Sequence, residues 1–480
     1  MIDLDAALEY VRANRDAHLR QLIELLRIPS VSTLPEHRPD IDAAAQWLAE
    51  ELNRVGMTRT TIMTTPGHPV VYGERLDAPG KATVLVYGHY DVQPVDPIDE
   101  WESAPFEPTV RGDDLYARGA SDMKGQLFAQ LKAVEALAAH GGVPVNLKFL
   151  FEGEEEVGSP HLATFIGANH ALLGCDFVIN CDSGILRPDL PAIVYALRGL
   201  AYFEVEVHGP AKDLHSGVFG GAVHNPVQAL CELIAGMHDA EGRVTLPGFY
   251  DKVRPLAPDE REALGRLPTT EDDWQRLSGV PALHGESGYT STERVGARPS
   301  LDVNGIIGGF TGEGAKTVLP AKATAKVSMR LVPDQDEAEV CGQLREYMTQ
   351  HAPETVTWQV REMAHGPGAV MNRHSPYMRA AVKALEQTFG VEPVFKREGG
   401  SVPVVGLMQK KLGVDSIMLG FSLPDDGVHG PNEKQHLPTL FKGIEAHVRF
   451  LAALGNIESG DADIESGDAD IESGGRNNPG

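Results

Sequence analysis

Three short runs, at 83–87, 146–151 and 177–180, are apolar almost throughout and rich in Val, Ile, Leu and Phe. A strand with one face in water alternates apolar and polar side chains. A run with no polar face has to be covered on both sides, as a central strand of a parallel sheet is. Around these runs lie stretches with apolar residues at helical spacing. One covers 4–27, where Leu8, Val11, Leu19, Leu22, Ile23 and Leu26 recur; a second covers 40–55, with Gly56 placed to end it; a third covers 122–140. Strands alternating with helices predict an α/β fold, a three-layer domain on a mostly parallel central sheet.

The pattern changes near Ala196. Residues 202–208 and 324–332 alternate apolar with polar side chains, the mark of half-exposed antiparallel strands, and helices are expected to start near Asn225 and Asp336. We therefore expect an inserted α+β domain over 196–366, acting as a lid or dimerisation module. A helix at 374–389, an apolar strand at 416–419 and a helix at 438–454 return to the first pattern, so the outer domain is discontinuous, 1–195 with 367–455. From Ile457 the unit Ile-Glu-Ser-Gly-Asp-Ala-Asp recurs, starting again at Ile464 and Ile471. One Ile per repeat cannot bury a face and each Gly interrupts a helix, so 456–480 reads as a disordered acidic tail.

The formal net charge of −26 on 480 residues, with no cluster of Lys or Arg, argues against nucleic acid as a partner. The cysteines, Cys175, Cys181, Cys231 and Cys341, form no C-x-x-C pair, which argues against a thiolate zinc site and leaves buried reduced thiols as the expectation. The acidic start Met1-Ile2-Asp3-Leu4-Asp5 does not read as a leader, and no apolar run reaches membrane-spanning length. A cytoplasmic protein with no membrane partner is expected.

Chemistry gathers where the apolar strands end. His89 and Asp91 follow the first, in Gly88-His89-Tyr90-Asp91. Ligands of open α/β sheets bind beyond the carboxyl ends of strands, a neutral imidazole binds borderline metals, and a nearby carboxylate can fix its tautomer. Asp122, in Gly119-Ala120-Ser121-Asp122-Met123-Lys124-Gly125, stands where a loop enters a helix, as an N-cap or as a carboxylate between two metals. Phe151-Glu152-Gly153-Glu154-Glu155-Glu156 puts four glutamates at a strand end, where they repel one another unless cations compensate. Glu155 and Glu156 can divide the labour, one binding metal and its neighbour taking a proton from water. Asp182 follows the third strand, and His429 stands in the Gly/Pro-rich loop 426–433 after the strand at 416–419. Oxygen and nitrogen donors without thiolate suit Zn, Mn or Co.

These motifs together resemble the dinuclear metallopeptidase family that includes carnosinases, cytosolic non-specific dipeptidases, carboxypeptidase G, aminoacylase and succinyl-diaminopimelate desuccinylase. The likeness is carried by 88–94, 119–125, 152–159 and Val428-His429-Gly430, and spans nearly everything before the tail. It implies two divalent metal ions, zinc first and manganese or cobalt otherwise, held by His89, Asp122, Glu156, Asp182 and His429. Asp122 would bridge the metals and be followed by a cis peptide bond. Glu155 would be the general base and Asp91 would orient His89. The stretch 213–221, Asp-Leu-His-Ser-Gly-Val-Phe-Gly-Gly, resembles the dipeptidase branch, as do 312–320, 329–333 and 397–401. That resemblance implies a homodimer in which His215 reaches the partner's site to hold the oxyanion, with Arg330, Thr317 and Ser401 binding a small peptide. The implied reaction is amide hydrolysis by a water shared between two metals. A deacylase of N-acyl amino acids using the same site is the alternative, and a scaffold that has lost activity ranks below both because every ligand position is filled.

Overall fold

The computed structural model describes residues 2–400 and 402–459, which divide into two compact units. The first gathers the described residues of Met1–Val194, Met371–Val394 and Met408–Gly480. Its middle strands are the apolar runs: Asn146–Glu152, Thr83–His89, Phe177–Asn180 and Ser416–Met418 lie side by side in that order, all parallel. Val70–Arg75 and then Arg59–Met63 extend one side antiparallel, and Ala192–Leu197 joins Ser416–Met418 antiparallel on the other. The fold is mixed α/β with a mostly parallel central sheet. The helix Lys124–Ala139 packs against Thr83–His89 and against the long helix Leu437–Leu454. Leu127, Phe128, Leu131 and Val134 are withdrawn from water there, each contributing on the order of 2 kcal/mol.

Two helices differ usefully from expectation. The helix predicted over 4–27 is two, Leu4–Ala13 and Arg15–Leu26, because the Asn14 backbone and side chain both donate to the Tyr10 carbonyl and close the first. The helix predicted from 122 begins at Lys124, with Met123 in the capping position. Asp122 is therefore not an N-cap, and its carboxylate is free of backbone duty.

The second unit comprises Tyr195–Val370 and Phe395–Leu407. Its antiparallel sheet runs Ser300–Gly308, Lys322–Leu331, Gly199–His208, Thr357–Gly366. One face carries Phe203, Val205, Val207, Val327 and Met329 in a core shared with the helices Pro226–Ala235 and Glu337–His351, whose N-caps are Asn225 and Asp336. The other face is ionic, with Glu204 between Lys326 and Arg361 at 2.5 and 2.6 Å.

The division expected from sequence needs two corrections. Phe395–Leu407, assigned above to the outer domain, belongs to the second unit: Arg397 pairs with Glu260, and the Gly399 carbonyl accepts from Arg198 at 3.1 Å. Of the stretch 456–480 expected as a tail, the described residues 456–459 make contacts with the first unit: Glu458 bridges to Lys81 at 2.6 Å and Ser459 Oγ donates to Asp176 at 2.9 Å. The remainder, 460–480, lies outside the described residues. Among the described residues no helix is long and apolar enough to cross a membrane.

Candidate metal centre

The parallel strands of the first unit end together, and their ends carry the chemistry. His89 is the last residue of Thr83–His89 and is fully buried. Its Nε2 lies 3.2 Å from Asp122 Oδ1. The other oxygen of Asp122 lies 2.9 Å from His429 Nε2, which is also 3.2 Å from Glu156 Oε2. Two sets of donors result, His89 with Asp122 and Asp182, and Asp122 with Glu156 and His429. Within each set the donor atoms lie within 4.8 Å of one another, and Asp122 is common to both. The peptide bond after Asp122 is cis.

Asp91 is buried beside this cluster without joining either set. Its Oδ1 accepts from the Glu155 N–H at 3.2 Å and lies 3.5 Å from His89 Nδ1; its Oδ2 accepts from the Glu156 N–H at 3.0 Å. The His89 Nδ1 hydrogen bond goes to the Asp91 backbone carbonyl at 3.1 Å, while the Asp91 carboxylate holds the turn Glu155–Val157 beside the ring. The four glutamates of this segment separate by partner. Glu152 accepts from Tyr87 OH at 2.5 Å and Ser159 Oγ at 2.9 Å, and Glu154 meets His161 at 2.8 Å. Glu156 is held by Gln93 Nε2 at 2.8 Å, while Glu155 feels the charges of His89, Asp182, Glu156 and Asp122.

Burial and the mutual influence of its charged groups set the electrostatics of the site. Burial, with repulsion from neighbouring carboxylates, pushes Glu155 up to about 8 and Asp182 up to about 7. Burial also opposes ionisation of Asp122, but His429 and His89 outweigh it and hold that carboxyl well below the usual range. Contact with Asp122 and Glu156 raises His429 to about 10. Packed carboxylates with two imidazoles, and no thiolate in either set, are a donor set that divalent cations would neutralise and that borderline or hard metals accept. Cys181, beside Asp182, is turned away into a contact with Gln130 at 2.7 Å.

Three of the remaining predicted residues lie in the second unit. His215 ends the short strand Leu214–His215, paired with Val318–Leu319, and is exposed. Its Nδ1 accepts from the Gly217 N–H at 2.9 Å, which leaves Nε2 as the protonated nitrogen of the neutral ring. Thr317 is exposed next to it, its carbonyl accepting from the Ser216 N–H at 3.1 Å. Arg330 is near the other end of the strand Lys322–Leu331, opposite Leu200 and Ser300. At about 3.3 Å per residue, it stands roughly 25 Å along the sheet from the Lys322 end near which His215 and Thr317 sit. Within one chain the structure brings His215 and Thr317 together and keeps Arg330 apart. Ser401 lies outside the described residues.

Sequence reasoning gave no role to Gln93, Arg118 or Glu433. Gln93 and Glu433 lie inside the motifs 88–94 and 426–433, but nothing in a local pattern marks a carboxylate as buried or a carboxamide as a ligand's hydrogen-bond partner.

Comparison with known proteins agrees with this geometry. The chain is 32% identical over 474 residues, 95% of its own length and 99% of the relative's, to the Cys-Gly metallodipeptidase of Schizosaccharomyces pombe. Among solved structures it resembles an M20 family metallo-carboxypeptidase of Sulfolobus solfataricus, with TM-score 0.81, 35% identity, and coverage of 91% of this chain and 99% of that one. It also resembles human carnosine dipeptidase 1, with TM-score 0.76, 31% identity, and coverage of 94% and 98%. Residues 85–453 match Peptidase family M20/M25/M40. With most of its length matched and the strand-end residues gathered as described, the chain belongs to that peptidase family.

Proposed function

We propose that the protein is a metal-dependent dipeptidase. The observation that carries the reading is the pair of donor sets sharing Asp122, with Glu155 beside both. Relatives named as Cys-Gly and Beta-Ala-His dipeptidases, matched over nearly the whole chain, support the substrate class. His89, Asp122 and Asp182 would hold one cation, and Asp122, Glu156 and His429 a second, zinc first with manganese or cobalt as alternatives. Such cations supply Lewis acidity toward the scissile carbonyl and the attacking water.

The chain's own groups do the rest. Asp91 keeps His89 oriented through Nδ1, by its backbone carbonyl with its carboxylate 3.5 Å away, and that carboxylate fixes the backbone that carries Glu155 and Glu156. Glu155 takes a proton from the attacking water and returns it to the leaving amine. The Nε2–H of His215 donates to the oxygen that gains charge. Arg330 receives the substrate carboxylate in its planar fork, and Thr317 and Ser401 contact the substrate backbone. Because His215 and Thr317 belong to a small two-stranded sheet beside the Lys322 end of the strand Lys322–Leu331, and Arg330 lies at that strand's other end, we assign His215 to the site of a second copy in a homodimer. Four unpaired cysteines fit a reducing compartment, in keeping with a cytoplasmic enzyme.

The likeness to the metallo-carboxypeptidase favours one second reading, removal of a C-terminal residue from longer peptides. One panel separates the readings: dipeptides, longer peptides with a free carboxyl end, and N-acyl amino acids, assayed with apo-protein reconstituted in Zn, Mn and Co. Preference for dipeptides supports the proposal, and preference for N-acyl amino acids would identify a deacylase. Glu155→Gln should keep its metal and lose about a hundred- to ten-thousandfold in turnover. Normal turnover in that variant would sink the base assignment.

A further inference from the structure

The buried pair Arg118–Glu433 stands outside both donor sets and reaches the backbone of two of their members. Glu433 is fully buried and Arg118 is 1% exposed. Each oxygen of Glu433 takes two donors. Oε1 accepts from the Ser121 and Asp122 N–H groups at 2.9 and 3.0 Å; Oε2 accepts from the Gly119 N–H at 2.9 Å and from Arg118 Nη1 at 2.8 Å. The other terminal nitrogen of Arg118 donates to the His429 carbonyl at 3.2 Å and the Pro94 carbonyl at 3.0 Å. The guanidinium also stacks over Trp101, 5.4 Å from the ring centroid.

A buried ion pair is a poor source of stability, because desolvating both charges offsets most of their attraction. Here the pair has a geometric use. Glu433 grips the N–H of Asp122, the carboxylate common to both donor sets. Arg118 grips the carbonyl of His429, which belongs to one set and holds a left-handed backbone at φ 64°. Asp426 adds a parallel link, accepting from Ser121 Oγ and the Leu423 N–H, both at 2.7 Å. The loops bearing Asp122 and His429 come from distant parts of the chain, and this pair joins them across their backbones.

We propose that Arg118 and Glu433 are positioning residues that set the Asp122–His429 spacing and so tune the His429-containing metal position. The inference rests on the two-cation reading of the centre. It makes asymmetric demands on variants. Arg118→Lys keeps a cation against Glu433, but an ammonium cannot bond Glu433 and the His429 carbonyl in the same fork geometry. Glu433→Gln puts an NH2 against backbone donors and disturbs Asp122, which both positions share.

The test is a two-equivalent titration of the apo-protein with Co(II), followed by its visible absorption, alongside melting temperature. His429→Ala marks the equivalent that depends on His429. Arg298→Lys, which alters a buried Arg–Glu pair of the second unit with 2.7 Å contacts, is the control for general destabilisation. We expect Arg118→Lys to weaken the His429-dependent equivalent about ten- to a hundredfold, the range for outer partners of metal ligands. The other equivalent should stay within threefold and the absorption envelope should change. Glu433→Gln should weaken both equivalents, and Arg298→Lys neither. Should Glu433→Gln fail to fold, Arg118→Lys carries the test alone. The proposal is overturned if Arg118→Lys binds both equivalents like the parent, or weakens both equally. A parent protein that binds fewer than two equivalents refutes the two-cation reading instead, a separate failure.

Discussion

Replacing Asp91 by Asn keeps the size of a fully buried side chain and removes one hydrogen-bond acceptor. In the native site both oxygens accept: Oδ1 from the Glu155 N–H at 3.2 Å, Oδ2 from the Glu156 N–H at 3.0 Å, with His89 Nδ1 3.5 Å from Oδ1. An Asn with its oxygen at the first position turns an NH2 toward the Glu156 N–H. Flipped, it turns the NH2 toward both the Glu155 N–H and the His89 ring. Either way one buried N–H faces a donor, at a cost of about 1–3 kcal/mol. At 1.4 kcal/mol per tenfold, that corresponds to about a five- to 150-fold change in whatever equilibrium the geometry supports. We expect kcat/KM on a dipeptide and metal affinity by chelator competition both to fall by about ten- to a hundredfold. The melting temperature of the same preparation checks the fold. A variant within twofold of the parent in both quantities would refute the claim that the Asp91 carboxylate holds the Glu155 turn in place beside the His89 ring.

Other perturbations follow from the same geometry. His215→Asn should lower kcat about a hundred- to a thousandfold with a smaller change in KM, the pattern for a donor to a developing charge. If His215 serves a second copy, mixing and refolding that variant with Glu155→Gln should restore part of the activity; no recovery would count against the shared site. Arg330→Lys should raise KM for free dipeptides while sparing C-terminally amidated ones, because an ammonium lacks the planar fork. His447, buried against Gln130 and Cys181, has its imidazole pushed by burial from 6.5 down to about 3. The unfolded chain binds that proton below its ordinary value while the folded chain does not, so this group removes stability as pH falls from about 6.5 toward 3 and has no such effect above. Urea unfolding between neutral pH and about pH 4 should therefore show a shallower pH dependence in His447→Gln; equal slopes would reject the assignment.

How much of the site was legible in the chain depended on the range of the signal. His89, Asp122, Glu156, Asp182 and His429 each follow an apolar strand or open a loop next to one, and strand-end position is a local property of sequence. The glutamate-rich segment was legible as a site and not as a division of labour. Tyr87, Ser159 and His161 decide that Glu152 and Glu154 are structural, and those contacts exist only after the strands pair. Arg118 and Glu433 were opaque because they are separated along the chain and meet only in the folded core.

By itself, then, the sequence determined the central sheet, through apolar runs that must be covered on both faces, and the ligand types, through the residues at their ends. The tertiary structure decided the rest. It moved Phe395–Leu407 into the second unit through Arg397 and Gly399, whose partners are distant in sequence. It set His215, in a small two-stranded sheet, and Arg330 near opposite ends of the strand Lys322–Leu331, because strand length is a distance that a motif does not measure. It also freed Asp122 from helix capping by starting the helix two residues later, leaving its two oxygens to face two imidazoles.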